Sequence, residues 1–400
     1  MQYLKSNKLK IAIVIANPIG WNKSENYGGG EVVTCEIINR INQIDYTVIT
    51  PSANLPLVES SKVKLIEINK LNNIFSFLEF SIKCFFYLLK NNSKFDIFYA
   101  STTNISEILP VFVAGKICRK KIITKYHLSV YKKSGKNIAI SIFNNLKQEG
   151  ILGVSLIIKW ISISLTFFII KNFDAIFCVS KSALVELEAY IKKNKLYLVE
   201  NGIDIEKLSK YKTNKKIYDI CFLGRLEKYK GIYEFIDIAK KLNLKAVIIG
   251  SGSESNILNA CLRKQDQMKN IHLLGHLKNE RFEYLASSKY LLVLSNSNEG
   301  FGLTIAEALA VGTQVICLKN DVLQRVYRNI REVTFLDTRD EIIEMLKQKR
   351  ITVHGSRFTD NNSYLTENGQ RRTVHDFSRF DIRKSSQIEV QYINEVFRKN

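Results

Sequence analysis

The stretch Asn298-Glu299-Gly300-Phe301-Gly302-Leu303-Thr304-Ile305-Ala306-Glu307-Ala308-Leu309-Ala310-Val311-Gly312 constrains this chain more than any other. The apolar run at 291–294 before it suits one buried strand. Gly300 and Gly302 let the backbone turn tightly and come close to a ligand. Residues 303–310 are good helix formers, and Gly312 stands where a C-terminal capping glycine belongs. A strand, a glycine turn and a helix start together aim backbone N–H groups and the positive end of a helix dipole at one point. That is an anion site suited to a diphosphate.

Two carboxylates frame it. Glu299 precedes the helix and Glu307 lies about one turn inside it, so they cannot stack on one helical face and address different parts of a ligand. Carboxylates aimed at hydroxyls, with N–H donors between them, suit a ligand with sugars at both ends and phosphates in the middle. Read alone, Glu299 is equally a solvated loop residue and Glu307 a helix-surface charge.

At 400 residues the chain is long enough for two domains, and its ordinary apolar content excludes wholesale disorder. The seven cysteines are scattered, odd in number and without a C-x-x-C pair; they read as buried small hydrophobes in a reducing compartment. Residues 11–16 follow Lys5, Lys8 and Lys10, but the run is too short for a signal peptide and reads as a first strand. The formal net charge is +21, with most of the basic excess in residues 1–217. Apart from a general compositional bias, such a half calls for nucleic acid, a membrane surface or a charged acceptor.

Strand 10–16, loop 17–27 and Gly28-Gly29-Gly30-Glu31 lead into a helix at 31–41. This second strand–glycine–helix unit lacks both the G-x-G-x-x-G spacing and the G-K-[ST] of a P-loop. Strands at 46–49, 63–68 and 96–99 alternate with helical stretches, which predicts a parallel α/β sheet. Helix 73–90 has only a narrow polar stripe of Ser76, Glu79, Lys83 and Lys90, whereas an ordinary sheet-covering helix is polar over about half its circumference. It is either clamped between other elements or turned toward a non-aqueous phase. Residues 151–170 are more apolar still, about 30 Å long as a helix. A strand of the same sheet follows at 172–180, so a single crossing would split one sheet across a bilayer. The expectation is a helix lying at the membrane interface, with Trp160 as an interfacial residue. Lys116, Arg119, Lys120, Lys121, Lys125, Lys132, Lys133 and Lys136 lie between the two helices in sequence, and each basic residue contributes on the order of 1 kcal/mol near an anionic leaflet. Nucleic acid would need the charge without the apolar helices.

A helix from Ser180-Lys181-Ser182 to about residue 191 and a strand at 196–199 follow, and the basic stretch 207–216 reads as an interdomain linker. A new α/β run then starts at Tyr218. It comprises strand 220–223, the loop Gly224-Arg225-Leu226-Glu227-Lys228-Tyr229-Lys230-Gly231, helix 232–242, strand 246–249 into Gly250-Ser251-Gly252, and strands 271–274 and 291–294. Residues 389–397 read as a last helix. Ligands of doubly wound sheets bind beyond the carboxyl ends of strands, so Arg225 and Lys230 are placed to meet the Gly300–Leu303 turn over one diphosphate. There they would stabilise the charge that develops as a glycosyl–phosphate bond breaks. Read singly, each is more simply a solvated surface cation.

Several segments follow one another in a known order over about residues 10–318. They are Gly29-Gly30-Glu31, Lys125-Tyr126-His127-Leu128, Val179-Ser180-Lys181, Asn201-Gly202-Ile203-Asp204, Gly224-Arg225…Lys230-Gly231, Gly250-Ser251-Gly252, Leu274-Gly275-His276 and Glu299-Gly300-Phe301-Gly302…Glu307-Ala308. The chain resembles glycosyltransferase family 4, retaining enzymes of the GT-B fold. The resemblance implies two facing Rossmann-like domains with parallel sheets, 1–210 on the acceptor side and 211–384 on the nucleotide-sugar side, with a C-terminal helix at 385–400 crossing back. It implies that Arg225 and Lys230 bind the diphosphate and that Glu307 accepts the ribose hydroxyls. Glu299 and the backbone of Gly300, Phe301, Gly302 and Leu303 would hold the donor sugar and distal phosphate. Gly29 and Gly30 would close over that phosphate, and His127 would line the sugar pocket. Asn201, Gly224, Gly252, His276 and Leu277 complete the donor-binding set, with base choice resting on main chain around His276 and Leu277. His127, Arg225, Lys230 and Glu299 form the catalytic set.

The implied reaction is front-face attack with retention, the leaving phosphate taking the acceptor proton. It needs no cofactor and no metal, and the chain has no D-x-D. One departure is that Lys319-Asn320-Asp321-Val322-Leu323-Gln324 stands where the family has a glycine-rich turn with a proline and a glutamate. The polar segment 352–375 also has no clear place. The expectation is a peripheral enzyme of polysaccharide biosynthesis on the cytoplasmic face of the cell membrane. It would move a hexose from a nucleotide sugar to a lipid-linked or cell-surface glycan, with an anionic membrane as partner and no nucleic acid. The alternatives are a glycoside hydrolase using Glu299 and Glu307, which leaves Arg225 and Lys230 unused, and a non-catalytic sugar-nucleotide or nucleic-acid binding protein.

Overall fold

The computed structural model describes residues 8–16, 29–51, 58, 62–66, 74–127, 153–264, 269–295, 300–353 and 377–399. By contacts the chain divides into Met1–Gly202 with Ile382–Asn400, and Ile203–Asp381; the sequence reading put these divisions at 210 and 384.

In the first unit β1 (Leu9–Val14), β2 (Ile44–Thr50), β3 (Val63–Leu65), β4 (Ile97–Ala100), β5 (Lys121–Tyr126), β6 (Ala175–Cys178) and β7 (Leu196–Leu198) form one sheet. Their order is β3-β2-β1-β4-β5-β6-β7, all neighbours parallel. Ile11 to Val14 and Ile97 to Ala100 are fully buried, as expected of parallel strands covered on both faces. The order reverses between β1 and β4, which makes the carboxyl ends of those strands the natural place for a ligand.

Among the helices of this unit are α1 (Gly29–Arg40), α2 (Ile74–Lys90), α3 (Ile105–Ile117), α4 (Gly153–Ile170) and α5 (Lys181–Glu188). The last is capped by Ser180, whose hydroxyl accepts from the Ala183 N–H at 3.2 Å. Helix α3 packs against both α2 and α4. Phe80, Cys84 and Leu88 of α2 and Phe167, Ile169 and Ile170 of α4 enter the core. The polar stripe expected on α2 is only partly on its outside. Ser76 is buried, whereas Leu78, Ile82 and Phe86, four residues apart, form an exposed ridge. Helix α4 has a similar ridge of Ile157, Ile161, Leu165 and Phe168. Trp160, the residue expected at a membrane interface, is partly buried and packs against the core of the unit. Among the described residues no helix is long and apolar enough to cross a membrane.

The second unit alternates regularly. It runs α6 (Ile205–Ser209), β8 (Tyr218–Leu223), α7 (Ile232–Lys241), β9 (Ala246–Ile249), α8 (Ser255–Lys264), β10 (Ile271–Gly275), α9 (Arg281–Ala286) and β11 (Ser288–Val293). Then come α10 (Leu303–Ala310), β12 (Gln314–Leu318), α11 (Asp321–Tyr327), β13 (Val333–Leu336) and α12 (Arg339–Val353). The sheet order is β10-β9-β8-β11-β12-β13, again parallel throughout. The stretch read as a linker at 207–216 begins inside α6, which Asp204 caps through the Lys207 N–H at 3.0 Å and which buries Leu208. At the departure from the family pattern, Asn320 caps α11, its side-chain oxygen accepting from the N–H groups of Val322 and Leu323. A capped helix start therefore replaces the glycine-rich turn.

The final helix, α13 (Ile382–Arg398), returns to the first unit and packs on α1. Ile382, Ser385, Ser386, Glu389, Ile393 and Val396 form its buried face, at helical spacing. Here one expectation is overturned. Lys125 was grouped with cations available to a lipid surface, but it sits mid-sheet on β5, fully buried, with its ammonium donating to Glu389 at 2.8 Å. A cation sealed on both faces of a sheet needs a partner there and cannot reach a leaflet. Lys132, Lys133 and Lys136 lie outside the described residues. Five cysteines are buried as expected, Cys118 is partly so and Cys261 is exposed; all seven are free thiols. Burial pushes the thiols of Cys35, Cys178 and Cys221 up to about 12, which makes them inert packing groups.

Candidate functional site

The carboxyl edge of the second sheet gathers four loops. After β8 the chain runs through Gly224 and Arg225 to Lys230 and Gly231; after β9 through Gly250, Ser251 and Gly252; after β10 through His276 and Leu277; after β11 to Gly300, Phe301 and Gly302. Backbone contacts lock the first two together. A Cβ on Gly250 would lie 1.8 Å from the Gly224 carbonyl oxygen, so only glycine fits. The Leu226 N–H donates to the Ser251 carbonyl at 3.0 Å, and Glu227 accepts from the Ser253 N–H and hydroxyl at 3.2 and 2.7 Å. On the other side Gly231, in the left-handed region at φ +77°, lies against Leu294 at the end of β11. The Arg225–Lys230 loop thereby rests on the strand that leads into the glycine turn.

Gly302, at φ +75°, is the N-cap of α10. The N–H of Ile305 is already bonded to the Gly302 carbonyl at 2.9 Å, so the N–H groups of Leu303 and Thr304 precede the first intrahelical bond and carry the positive end of the dipole. The turn is held from beneath. Phe301 is buried against Tyr327 and Phe380, and the Tyr327 hydroxyl donates to the Gly302 carbonyl at 3.1 Å. Phe301 thus offers a ligand only its backbone. Arg225 is exposed, Lys230 half-buried, and both cations face the ring of Tyr229, at 5.9 and 5.5 Å. Glu307 is mostly buried and accepts from the Arg281 guanidinium at 3.0 Å. His276 is exposed and Leu277 packs partly on the core. Glu299 lies outside the described residues.

The carboxyl edge of the first sheet holds the other predicted residues. Gly29 and Gly30 open α1, His127 follows β5 directly, and buried Asn201 lies beyond β7 with its N–H bonded to the Val179 carbonyl at 3.3 Å. The His127 Nε2–H donates to the Ser101 carbonyl at 3.0 Å, which leaves the lone pair on Nδ1. That nitrogen is buried without a hydrogen-bond partner among the described residues. It abuts Gly30, where a Cβ would come within 2.8 Å of it. Burial, reinforced by the charge of Lys125, lowers the imidazole to about 3. His127 is therefore neutral at physiological pH, a hydrogen-bond acceptor rather than an acid.

Sequence reasoning missed the residue that organises this edge. Glu107 on α3 is fully buried and accepts four hydrogen bonds: from the Ala16 N–H at 2.8 Å, the Ser101 hydroxyl at 2.9 Å, and the Thr102 N–H and hydroxyl at 2.7 and 3.1 Å. It ties the ends of β1 and β4 together and fixes the Ser101 carbonyl that orients His127. Burial raises its carboxyl to about 7, against the lowering effect of its donors, with Glu31 adding to the rise. An acid raised in the fold holds its proton longer than in the unfolded chain. Stability contributed through Glu107 therefore falls as pH rises from about 4.5 to about 7, by up to ~1.4 kcal/mol per pH unit. Urea unfolding of the wild type and Glu107→Gln at pH 5, 6 and 7 should show the wild type losing stability relative to the variant across that window. Parallel pH dependences would contradict the assignment. Tyr229 and Arg281 were also missed, for in sequence each looks like an ordinary surface residue.

Residues 27–207 match the family model described as Glycosyltransferase Family 4, and residues 204–330 match the model described as Glycosyl transferases group 1. The chain belongs to these glycosyltransferases. An uncharacterized glycosyltransferase of Methanocaldococcus jannaschii is 29% identical over 150 residues, 37% of this chain and 41% of the relative. Alpha-monoglucosyldiacylglycerol synthase of Acholeplasma laidlawii is 25% identical over 129 residues, 31% of this chain and 32% of that protein. The chain thus spans about two-fifths and one-third of the lengths of these two relatives. The fold match is longer. Anabaena HepE, solved in complex with UDP-glucose, superposes with a TM-score of 0.67 at 15% identity, covering 97% of this glycosyltransferase and 100% of HepE. Sucrose-phosphate synthase from Thermosynechococcus elongatus gives 0.68 at 14% identity, covering 98% and 100%. At such identities the likeness concerns the fold, which is GT-B.

Proposed function

We propose that this glycosyltransferase moves a hexose from a nucleotide-diphosphate sugar, with retention and without a resident metal, onto a lipid-linked or cell-surface glycan at a membrane surface. The observation that carries the reading is that the Arg225–Lys230 loop and the α10 start lie on the same carboxyl edge of the second sheet, with Gly231 against Leu294. Two cations and a helix dipole there suit a diphosphate and stabilise it as a leaving group. Glu307 accepts the ribose hydroxyls, and Glu299 with the turn backbone holds the donor sugar. The leaving phosphate takes the acceptor proton. The UDP-glucose complex of HepE supports a nucleotide-sugar donor, and the name of the Acholeplasma relative supports a lipid acceptor. Transfer is favoured over hydrolysis because Glu307 is engaged by Arg281 and because the family is one of transferases.

The membrane part rests on the ridges of α2 and α4. Phe86 is 62% and Phe168 58% exposed, and the Lys171 ammonium lies 4.4 Å from the Phe168 ring, an aromatic–cation pair of the kind that seats at a headgroup boundary. A thermal-shift screen with UDP-, GDP- and ADP-sugars tests the donor. One base class should raise the melting temperature, since ligand at about a hundred times its Kd stabilises by ~2.7 kcal/mol; no shift with any would sink the reading. The protein should also sediment with vesicles containing anionic phospholipid, and Phe86→Ser with Phe168→Ser should weaken that binding. Full activity on a glycan acceptor with no vesicle binding would remove the membrane part alone.

A further inference from the structure

We infer that Arg281 is a positioning residue for nucleoside recognition, its guanidinium holding the carboxylate of Glu307 and the turn after β10 at a fixed separation. The inference rests on the nucleotide-sugar reading above and names what sets its ribose contact.

Three contacts define the residue. One terminal nitrogen donates to Glu307 Oε1 at 3.0 Å, the other donates to the Lys278 carbonyl at 2.8 Å, and the guanidinium plane lies 4.3 Å from the ring centroid of buried Phe282. The pair is largely shielded, with the two side chains 26% and 16% exposed, so its charge-assisted bond is stronger than a surface ion pair. Lys278 directly follows His276 and Leu277, the segment assigned to the base, and Glu307 is the group assigned to the ribose. One planar fork thus braces both sides of the nucleoside pocket. With Oε1 engaged by Arg281, Glu307 presents Oε2 to vicinal hydroxyls in one orientation rather than rotating among several. A lysine keeps the charge but is a single point donor and cannot span both acceptors in a plane.

The test is binding of UDP, GDP and ADP, each against its 2′,3′-dideoxy counterpart, to the wild type, Arg281→Gln, Arg281→Lys and Glu307→Gln. The wild type should prefer one ribonucleotide over its dideoxy form by about tenfold or more, the worth of hydrogen bonds to a charged group. Arg281→Gln should reduce that preference to about twofold, as Glu307→Gln does, while binding the dideoxy form like the wild type; Arg281→Lys should fall between. In turnover, KM for the donor should rise with kcat little changed, because chemistry at the diphosphate is untouched. Unaltered dideoxy binding shows that the variant pocket is folded. A ribose preference retained in Arg281→Gln overturns the inference while leaving the nucleotide reading intact. Failure of the wild type to bind any of the three nucleotides overturns both.

Discussion

Replacing Glu389 by alanine is expected to destabilise the first unit by about 3–5 kcal/mol, the usual result of leaving a buried charge without its partner. The Lys125 ammonium, 0% exposed, has Glu389 at 2.8 Å, and the Tyr99 hydroxyl donates to the other oxygen of the same carboxylate at 3.0 Å. Tyr99 and Tyr46 hold their protons well above the ordinary phenol range, chiefly through burial and then through the Glu389 charge. Both phenols are therefore neutral, Tyr99 as a donor to the carboxylate, and among the described residues Lys125 is the cation that balances it. Removing the carboxylate strands Lys125 and cancels the polar anchor of α13. Urea unfolding reads the loss directly. The double change Lys125→Met with Glu389→Leu should recover most of it, because an apolar pair of similar volume avoids the desolvation that the ions suffer. If Glu389→Ala alone is near neutral, the pair is not sealed from water.

The second large effect concerns turnover. Arg225→Ala and Lys230→Ala should each lower transfer by about 10²–10³, the range found when one donor aimed at developing charge is removed. They should also reduce the thermal stabilisation given by the nucleotide sugar. Neither change should weaken the fold. Arg225 is exposed and Lys230 half-buried, and the loop is held by close main-chain approaches at Gly224 and Gly231 and by the Glu227 carboxylate, which accepts from the Ser253 N–H. Lys228 is exposed on the same loop, and Lys228→Ala serves as the control that should leave turnover within about twofold, as for a surface charge of no special geometry. Equal losses at all three lysine and arginine positions would point to general electrostatic attraction rather than to a diphosphate clasp.

The architecture and the positions of the loops at the carboxyl edge of the second sheet were legible along the chain, because both are local. Alternating apolar strands and helices specify parallel sheets, and β8, β9, β10 and β11 lie where the apolar runs at 220–223, 246–249, 271–274 and 291–294 put them. The α10 start was legible as Gly300-Phe301-Gly302 followed by eight helix formers, since conformation and chemistry there reside in adjacent residues. The position of Arg225 and Lys230 on the loop after β8 was legible because that loop directly follows a clear apolar strand. Which charges are buried, by contrast, emerges only once distant elements pack together. Lys125 looked like one more cation in a basic run until a helix 264 positions away brought Glu389 to it. Glu107, in the first turn of α3, stands in no sequence pattern, and its donors come from the ends of two strands, one of them 91 positions distant. Arg281 looked like a surface residue until α10 placed Glu307 against it. Desolvation and long-range pairing act between groups that only the folded chain brings within 3 Å, and no periodicity along the chain carries that information.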